Sequence, residues 1–383
     1  MKHCRLIVTA LLSSVLLASC SLFGGDDKDL KPAKLFKFEE KIGLRELWSA
    51  NVGSNSKKFW TKLQPAASQD SLFLSDHSGT VTALDAQTGK RRWTADIDAA
   101  VSGGVGYGSG LVLLGTIEGQ IFALSAEDGS VLWTSSVSSE VLSSPVANDQ
   151  IVVVQSADNQ LFALDATTGE NLWQHDAGAP ILSIRGTSSA LLSNNMVIAA
   201  FDSAKLIAFN AQHGALMWET RLSLPQGRTE LERMVDIDGR PLLVGDIVYS
   251  VSYQGRLGAL TRGTGRNLWF QDSSSHHSPA YSDGKLYVTE SDDTVRGFQA
   301  GSGQVIWSND QLRFRELTGP AKFGDSIAVA DAKGYLHLLD AQNGNFVGRT
   351  KVDSSGISVP LLVIDNILVT QANDGSVSAY KIQ

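Results

Sequence analysis

The sequence predicts an all-β protein: an eight-bladed β-propeller with tryptophan-docking repeats, its ring closed by a composite blade from the two ends of the chain. Three observations predict it. A motif ending in Trp recurs along the chain. Its copies lie about 40 residues apart, the length of a four-stranded blade. The two chain ends carry complementary pieces of one more copy.

The motif runs ALDAQTGKRRW (83–93), ALSAEDGSVLW (123–133), ALDATTGENLW (163–173), AFNAQHGALMW (208–218), ALTRGTGRNLW (259–269), GFQAGSGQVIW (297–307) and LLDAQNGNFVG (338–348). Its glycines, Gly89, Gly129, Gly169, Gly214, Gly265, Gly303 and Gly344, are separated by 40, 40, 45, 51, 38 and 41 residues. Upstream of each copy is an apolar run such as IVVVQ (151–155) or ILVTQ (367–371), then a tight polar turn such as YQG or NDG. Short β-rich runs between turn signals are antiparallel strands. Residues 378–381 align with 337–340, but the chain stops before its turn and Trp, whereas Leu47-Trp48 supplies an orphan Trp ending. Three C-terminal strands and one N-terminal strand therefore make the eighth blade and leave no open seam.

The motif explains itself structurally. Gly supplies a turn residue with φ > 0. Asp85, Asp165, Asn210 and Asp340 accept bonds from turn amides. Trp48, Trp93, Trp133, Trp173, Trp218, Trp269 and Trp307 fill the gap to the next blade. Trp60 has no role in this scheme. Recurring once per blade, the motif acids are turn residues, not catalysts.

Composition narrows the function. With 32 basic and 40 acidic residues the net charge is −8, and no basic run offers a footprint for nucleic acid. The two cysteines, Cys4 and Cys20, lie in the first twenty residues, so the body holds no disulfide, thiolate zinc site or thiol nucleophile. Lys2 and Arg5 precede the apolar stretch 6–18 (LIVTALLSSVLLA), which as a helix reaches about 20 Å, short of a bilayer core. It reads as a signal peptide, residues 1–19. Leu17-Ala18-Ser19-Cys20 resembles the bacterial lipobox, which makes Cys20 the lipidation site, and Ser21 in place of Asp points to the outer membrane. Loss of Lys2 and Arg5 takes the net charge to about −10, so acyl chains, not a basic patch, are the expected membrane attachment. Residues 20–43, with Gly24-Gly25, mixed charges and Pro32, read as a lipidated flexible tether, and 44–383 as the propeller. Docking of Leu35, Phe36 and Phe38 on the body is left open.

The repeats resemble the tryptophan-docking units of the pyrroloquinoline-quinone dehydrogenase-like propellers over about residues 44–383. That resemblance implies fold more strongly than activity. Quinoprotein dehydrogenases carry inserts over the channel, calcium ligands, a catalytic Asp and often a vicinal cysteine pair. Here bare blades take up nearly the whole body, and it contains no cysteine. No enzyme, cofactor or metal site is expected. His276-His277 is a conspicuous pair, but neighbours on a strand point to opposite faces, and a solvated loop pair is the expectation. Residues 103–108 (GGVGYG) precede a strand rather than a helix and read as a flexible loop or strand edge, not a phosphate cradle.

A scaffold is sought where repeats deviate. The separations of 45 and 51 contain APILSIRGTSSALLSNN (179–195) and ETRLSLPQGRTELERMVDIDGRP (219–241). In the second, Thr229-x-x-Glu232 predicts a capping box and a short helical turn. Together with the lipobox, these segments resemble the BamB family of outer-membrane protein assembly factors. Residues 182–186 (LSIRG), 229–233 (TELER) with 236–238 (DID), and 351–356 (KVDSSG) carry the likeness. The resemblance implies a non-enzymatic scaffold lipoprotein of the β-barrel assembly (BAM) complex, facing the periplasm. It would hold the POTRA domains of BamA through Leu182, Ile184, Arg185, Asp236 and Asp238, and unfolded outer-membrane proteins are further candidate partners. The alternative reading is a periplasmic propeller that binds a small ligand, glycan or quinone at its central channel.

Overall fold

The computed structural model describes residues 31–53, 63–180, 182–183, 186–193 and 195–383. It contains eight antiparallel four-stranded sheets arranged as blades of one ring. In the first, Ala66–Ala67 pairs with Ser71–Ser75, which pairs with Thr80–Asp85, which pairs with Arg91–Asp96. Blades two to seven repeat this order over residues 106–136, 146–176, 191–221, 242–272, 280–309 and 321–351. The eighth is the expected composite: Leu44–Asn51 pairs with the last strand, Ser376–Ile382, in the order N-terminal strand, Ser376–Ile382, Ile367–Gln371, Leu362–Ile364. The only helical element among the described residues is a 3₁₀ turn, Asp202–Ala204.

The second and third strands of each blade are buried on both faces. Strands such as Ile151–Gln155 (IVVVQ) are accordingly continuous apolar runs without alternation. Their side chains make the core, which lies between blades: Leu113, Val152, Val154 and Leu164 of blades two and three form one cluster.

Each docking Trp bonds forward to the next blade. The indole N–H of Trp48, Trp93, Trp133, Trp173, Trp218, Trp269 and Trp307 donates to the carbonyl oxygen of Ala86, Ala126, Ala166, Ala211, Arg262, Ala300 and Ala341, at 2.7–3.1 Å. The indole face lies on the next motif glycine so closely that a Cβ on Gly89 or Gly344 would stand 2.5 or 2.4 Å from the ring. Glycine is thus required twice over, by a φ near +70° and by the Trp against it. Asp85, Asp165, Asn210 and Asp340 accept the turn amides as expected.

Of the two readings of residues 103–108 the strand edge holds, since Gly106–Gly108 is the inner edge strand of blade two, and the expectation for the tether changes. Residues 103–108 are close-packed: a Cβ on Gly106 or Gly108 would lie 2.1 or 2.3 Å from the carbonyl oxygens of Pro145 or Ala147. Glycine here lets adjacent inner strands approach near the ring axis. The described part of the expected tether, residues 31–43, is bonded to the body. Lys41 and Ile42 donate their amides to Val347, and Arg315 and Arg349 donate to the carbonyls of Ala33 and Phe36. Phe36 and Phe38 pack on Phe346, and Arg349 lies over both rings. This strap sits where the ring lacks its eighth Trp: Gly348 holds the Trp position, and a Cβ there would be 2.6 Å from the Ile42 carbonyl oxygen.

Candidate functional site

Connections from the outer strand of one blade to the inner strand of the next share a face with the central turns of the blades. Each is stitched to the turns on either side. Ala177 donates to Asn159, Leu222 donates to Ala204, and Tyr253 donates to the Asp236 carbonyl. The two longest such connections, 177–190 and 222–241, flank blade four and therefore adjoin on this face.

The longer one is pinned by its own sequence. Val235 and Ile237 are buried in the core between blades four and five. Upstream, Thr229 Oγ1 accepts from the Glu232 amide at 3.2 Å, and the Glu232 carboxylate accepts from the amides of Arg228 and Thr229. Those amides hold Glu232 below the usual carboxylate range. This is the expected capping box. It closes a single hydrogen-bonded turn that does not continue into a helix, with Arg233 N–H donating to the Thr229 carbonyl. Thr229→Ala is expected to cost the turn about 1 kcal/mol, seen as faster protease cleavage at 226–234. Cleavage at the wild-type rate would remove the cap from this account.

The two connections touch. A Cβ on Gly186 would be 2.6 Å from Asp238 Oδ1, and the Ser188 hydroxyl donates to the Gly239 carbonyl at 3.0 Å. Of the residues nominated from sequence, Leu182 is 44% exposed, Asp238 is half-buried, and Asp236 is only 1% exposed. Ile184 and Arg185 lie outside the described residues, as do Cys20 and Trp60. Sequence reasoning ranked Asp236 as a contact. Its neighbours Val235 and Ile237 draw it into the body instead, where its Oδ1 faces the Ser203 amide at 3.4 Å. The sequence also gave no rank to Leu224 and Leu231, which are 65% and 63% exposed. The signal was present: both are leucines inside the longest insertion, where an apolar residue lacks a repeat position to fill.

Beside these connections, at the ring axis, opens a cavity lined by Gln64, Ser144, Ser189, Asp238, Arg240 and the His276–His277 pair. The two imidazoles stand 4.0 Å apart. Serines tie connections together here: Gln64 Nε2, before blade one, donates to Ser144 Oγ, before blade three, and Arg240 N–H donates to Ser278 Oγ of the next connection. No group of three or more metal-ligating side chains occurs among the described residues, and no helix among them is long and apolar enough to cross a membrane.

Comparisons with known proteins bear on this arrangement. A family described as outer membrane protein assembly factor BamB matches residues 77–309 and 291–383. A protein of that name from Pseudomonas aeruginosa is 49% identical over 382 residues, spanning 100% of this chain and 99% of that protein. The one from Escherichia coli K12 is 33% identical and spans 97% and 98%. The crystal structure of BamB from Moraxella catarrhalis superposes with a TM-score of 0.81 at 27% identity, covering 88% of this chain and all of that one. A quinohemoprotein alcohol dehydrogenase from Comamonas testosteroni superposes at 0.69 with 13% identity, covering 88% and 76%, a likeness of fold alone.

Proposed function

This chain belongs to the outer membrane protein assembly factor BamB family, and from that premise we propose how its ring takes part in assembly. It is an assembly factor of the outer membrane and not an enzyme. In the proposed arrangement, residues 1–19 are removed and Cys20 carries the lipid anchor. The ring faces the periplasm, and connections 177–190 and 222–241 hold the POTRA domains of BamA. Unfolded outer-membrane proteins are the clients brought to that assembly.

The observation that carries this reading is the site itself. The two longest connections adjoin on one face, where Gly186 of the first meets the half-buried Asp238 of the second, and they present Leu182, Leu224 and Leu231 to solvent. Exposed apolar anchors on two joined connections are the material of a protein interface rather than of a catalytic cleft. Leu182, Ile184, Arg185 and Asp238 are the proposed contacts. Asp236, being buried, acts by holding its connection in place.

The test is retention of the full-length protein on an immobilised POTRA fragment. Leu182→Ala with Leu231→Ala, and separately Arg185→Ala, are each expected to weaken retention by about thirtyfold, the size of a 2 kcal/mol anchor, with thermal stability unchanged. Wild-type retention by both variants would refute the site.

A further inference from the structure

The 3₁₀ turn Asp202–Ala204 is the central turn of blade four, between the two connections just described. It is strained: Ser203 and Ala204 both have left-handed φ, 63° and 56°. Two successive non-glycine residues in that region persist only where surrounding contacts hold them. Those contacts reach in three directions. Asp202 Oδ2 accepts from Asn159 Nδ2 of the neighbouring blade at 3.1 Å. The Ser183 hydroxyl, adjacent to Leu182 in the first connection, bonds to the same carboxyl. From the second connection, Asp236 Oδ1 faces the Ser203 amide, and Leu222 N–H donates to the Ala204 carbonyl.

We propose that Asp202 is the positioning residue of the partner-binding face: by gripping Ser183 and Asn159 while its turn holds Asp236, it sets the two connections in one arrangement. The proposal rests on the reading of those connections as the partner site, and it adds a residue that the repeat pattern disguises as an ordinary turn acid.

The chemistry of the pocket makes the role measurable. Asp202 is 6% exposed. Burial first, and then the nearby Asp236 carboxylate, push its carboxyl up from 3.8 to about 7, against the pull of the Ser183 and Asn159 bonds. On its own strand Lys205 is engaged by Glu219 at 3.3 Å. In the neighbouring turn Asp158 takes the Ser156 hydroxyl and the Gln160 amide. The one charged residue of the first connection, Arg185, lies outside the described residues. A raised carboxyl binds its proton more tightly in the folded arrangement than in a loosened one. Its contribution to the assembled face is therefore complete below 3.8 and is lost as pH rises from there through about 7.

The experiment follows hydrogen exchange at residues 177–190 and 222–241, and POTRA affinity, in the full-length protein at pH 5.5 and pH 8. In the wild type, protection and affinity are expected to fall by about thirtyfold between pH 5.5 and pH 8, the roughly 1.5 pH units from 5.5 to the folded value of about 7. Asp202→Asn keeps an acceptor for Asn159 without a charge, so both readouts should stay flat and high. Asp202→Ala should lower protection of both connections at either pH, with exchange in the blade strands unchanged. Either a wild-type pH step in Asp202→Asn or wild-type protection in Asp202→Ala overturns the proposal. Exchange that follows this pattern without POTRA binding would sustain the positioning role and refute the partner assignment instead.

Discussion

Asp331→Ala is expected to lower the stability of the ring by about 3–5 kcal/mol, the usual consequence of removing one member of a buried ionic group, and to free the strap. Asp331 and His337 are fully buried, and Arg315 nearly so. One Asp331 oxygen takes Arg315 Nε at 2.7 Å and His337 Nε2 at 3.0 Å. The other takes the amides of Lys333 and Tyr335 at 2.9 Å. Arg349 Nε donates to His337 Nδ1, so the imidazole is neutral with its proton on Nε2. Burial holds that imidazole below its ordinary value. The two arginines then reach outward to the carbonyls of Ala33 and Phe36. Alanine at 331 would leave Arg315 charged in the interior without its carboxylate. Urea unfolding should show the loss, and limited proteolysis should open cleavage within 31–43. A loss under about 1 kcal/mol with the strap still protected would contradict this account. The pH dependence has a definite sign. Burial raises the Asp331 carboxyl, but His337, the Tyr335 amide and Arg315 together hold it below 3.8. Its stabilisation is therefore complete above 3.8 and is lost as pH falls through the lower, folded value. Asp331→Ala should lack that acid limb.

Gly303→Ala should cost about 2–5 kcal/mol, whereas Gly301→Ala, two residues away in the same turn, should be nearly neutral. At Gly303 φ is +73°, and a Cβ would sit 2.5 Å from Cε3 of Trp269. A left-handed L-residue costs about 1–2 kcal/mol and overpacking about 1–3 kcal/mol. The clash also pushes the indole off the bond its N–H makes to the Ala300 carbonyl. Gly301 has nothing within 4 Å of its would-be Cβ. Denaturant midpoints of the two variants decide the matter. Equal midpoints would mean that the blades are not held by Trp on Gly.

The difference between these two sites marks how far the sequence was legible. Seven interfaces repeat one Trp and one Gly, so their chemistry stands in the text of the chain. The eighth does not, because Gly348 replaces its Trp and residues 33–42 fill the gap without any period of their own. For residues 103–108 the strand edge was legible but the close packing was not, for a related reason. Glycine reads as freedom in a sequence, but beside the carbonyls of Pro145 and Ala147 it is the absence of a Cβ that matters.

The candidate site divides in the same way. Insert length and the Thr229–Glu232 pair located both connections and the capped turn, since these depend on residues close in the chain. Burial of Asp236 depends on Val235 and Ile237 reaching a core made by two blades. The grip of Asp202 depends on Asn159 and Ser183 arriving from elsewhere in the chain.

The sequence by itself determined the number of blades, their register through Gly and Trp, the composite closure and the places where the ring departs from its repeat. Local turn chemistry and periodic burial are written residue by residue. Only the tertiary structure decided which acids face solvent, what closes the eighth interface and which turn ties the two connections together. Those outcomes follow from desolvation and close packing between segments distant in the chain, and neither has a sequence period.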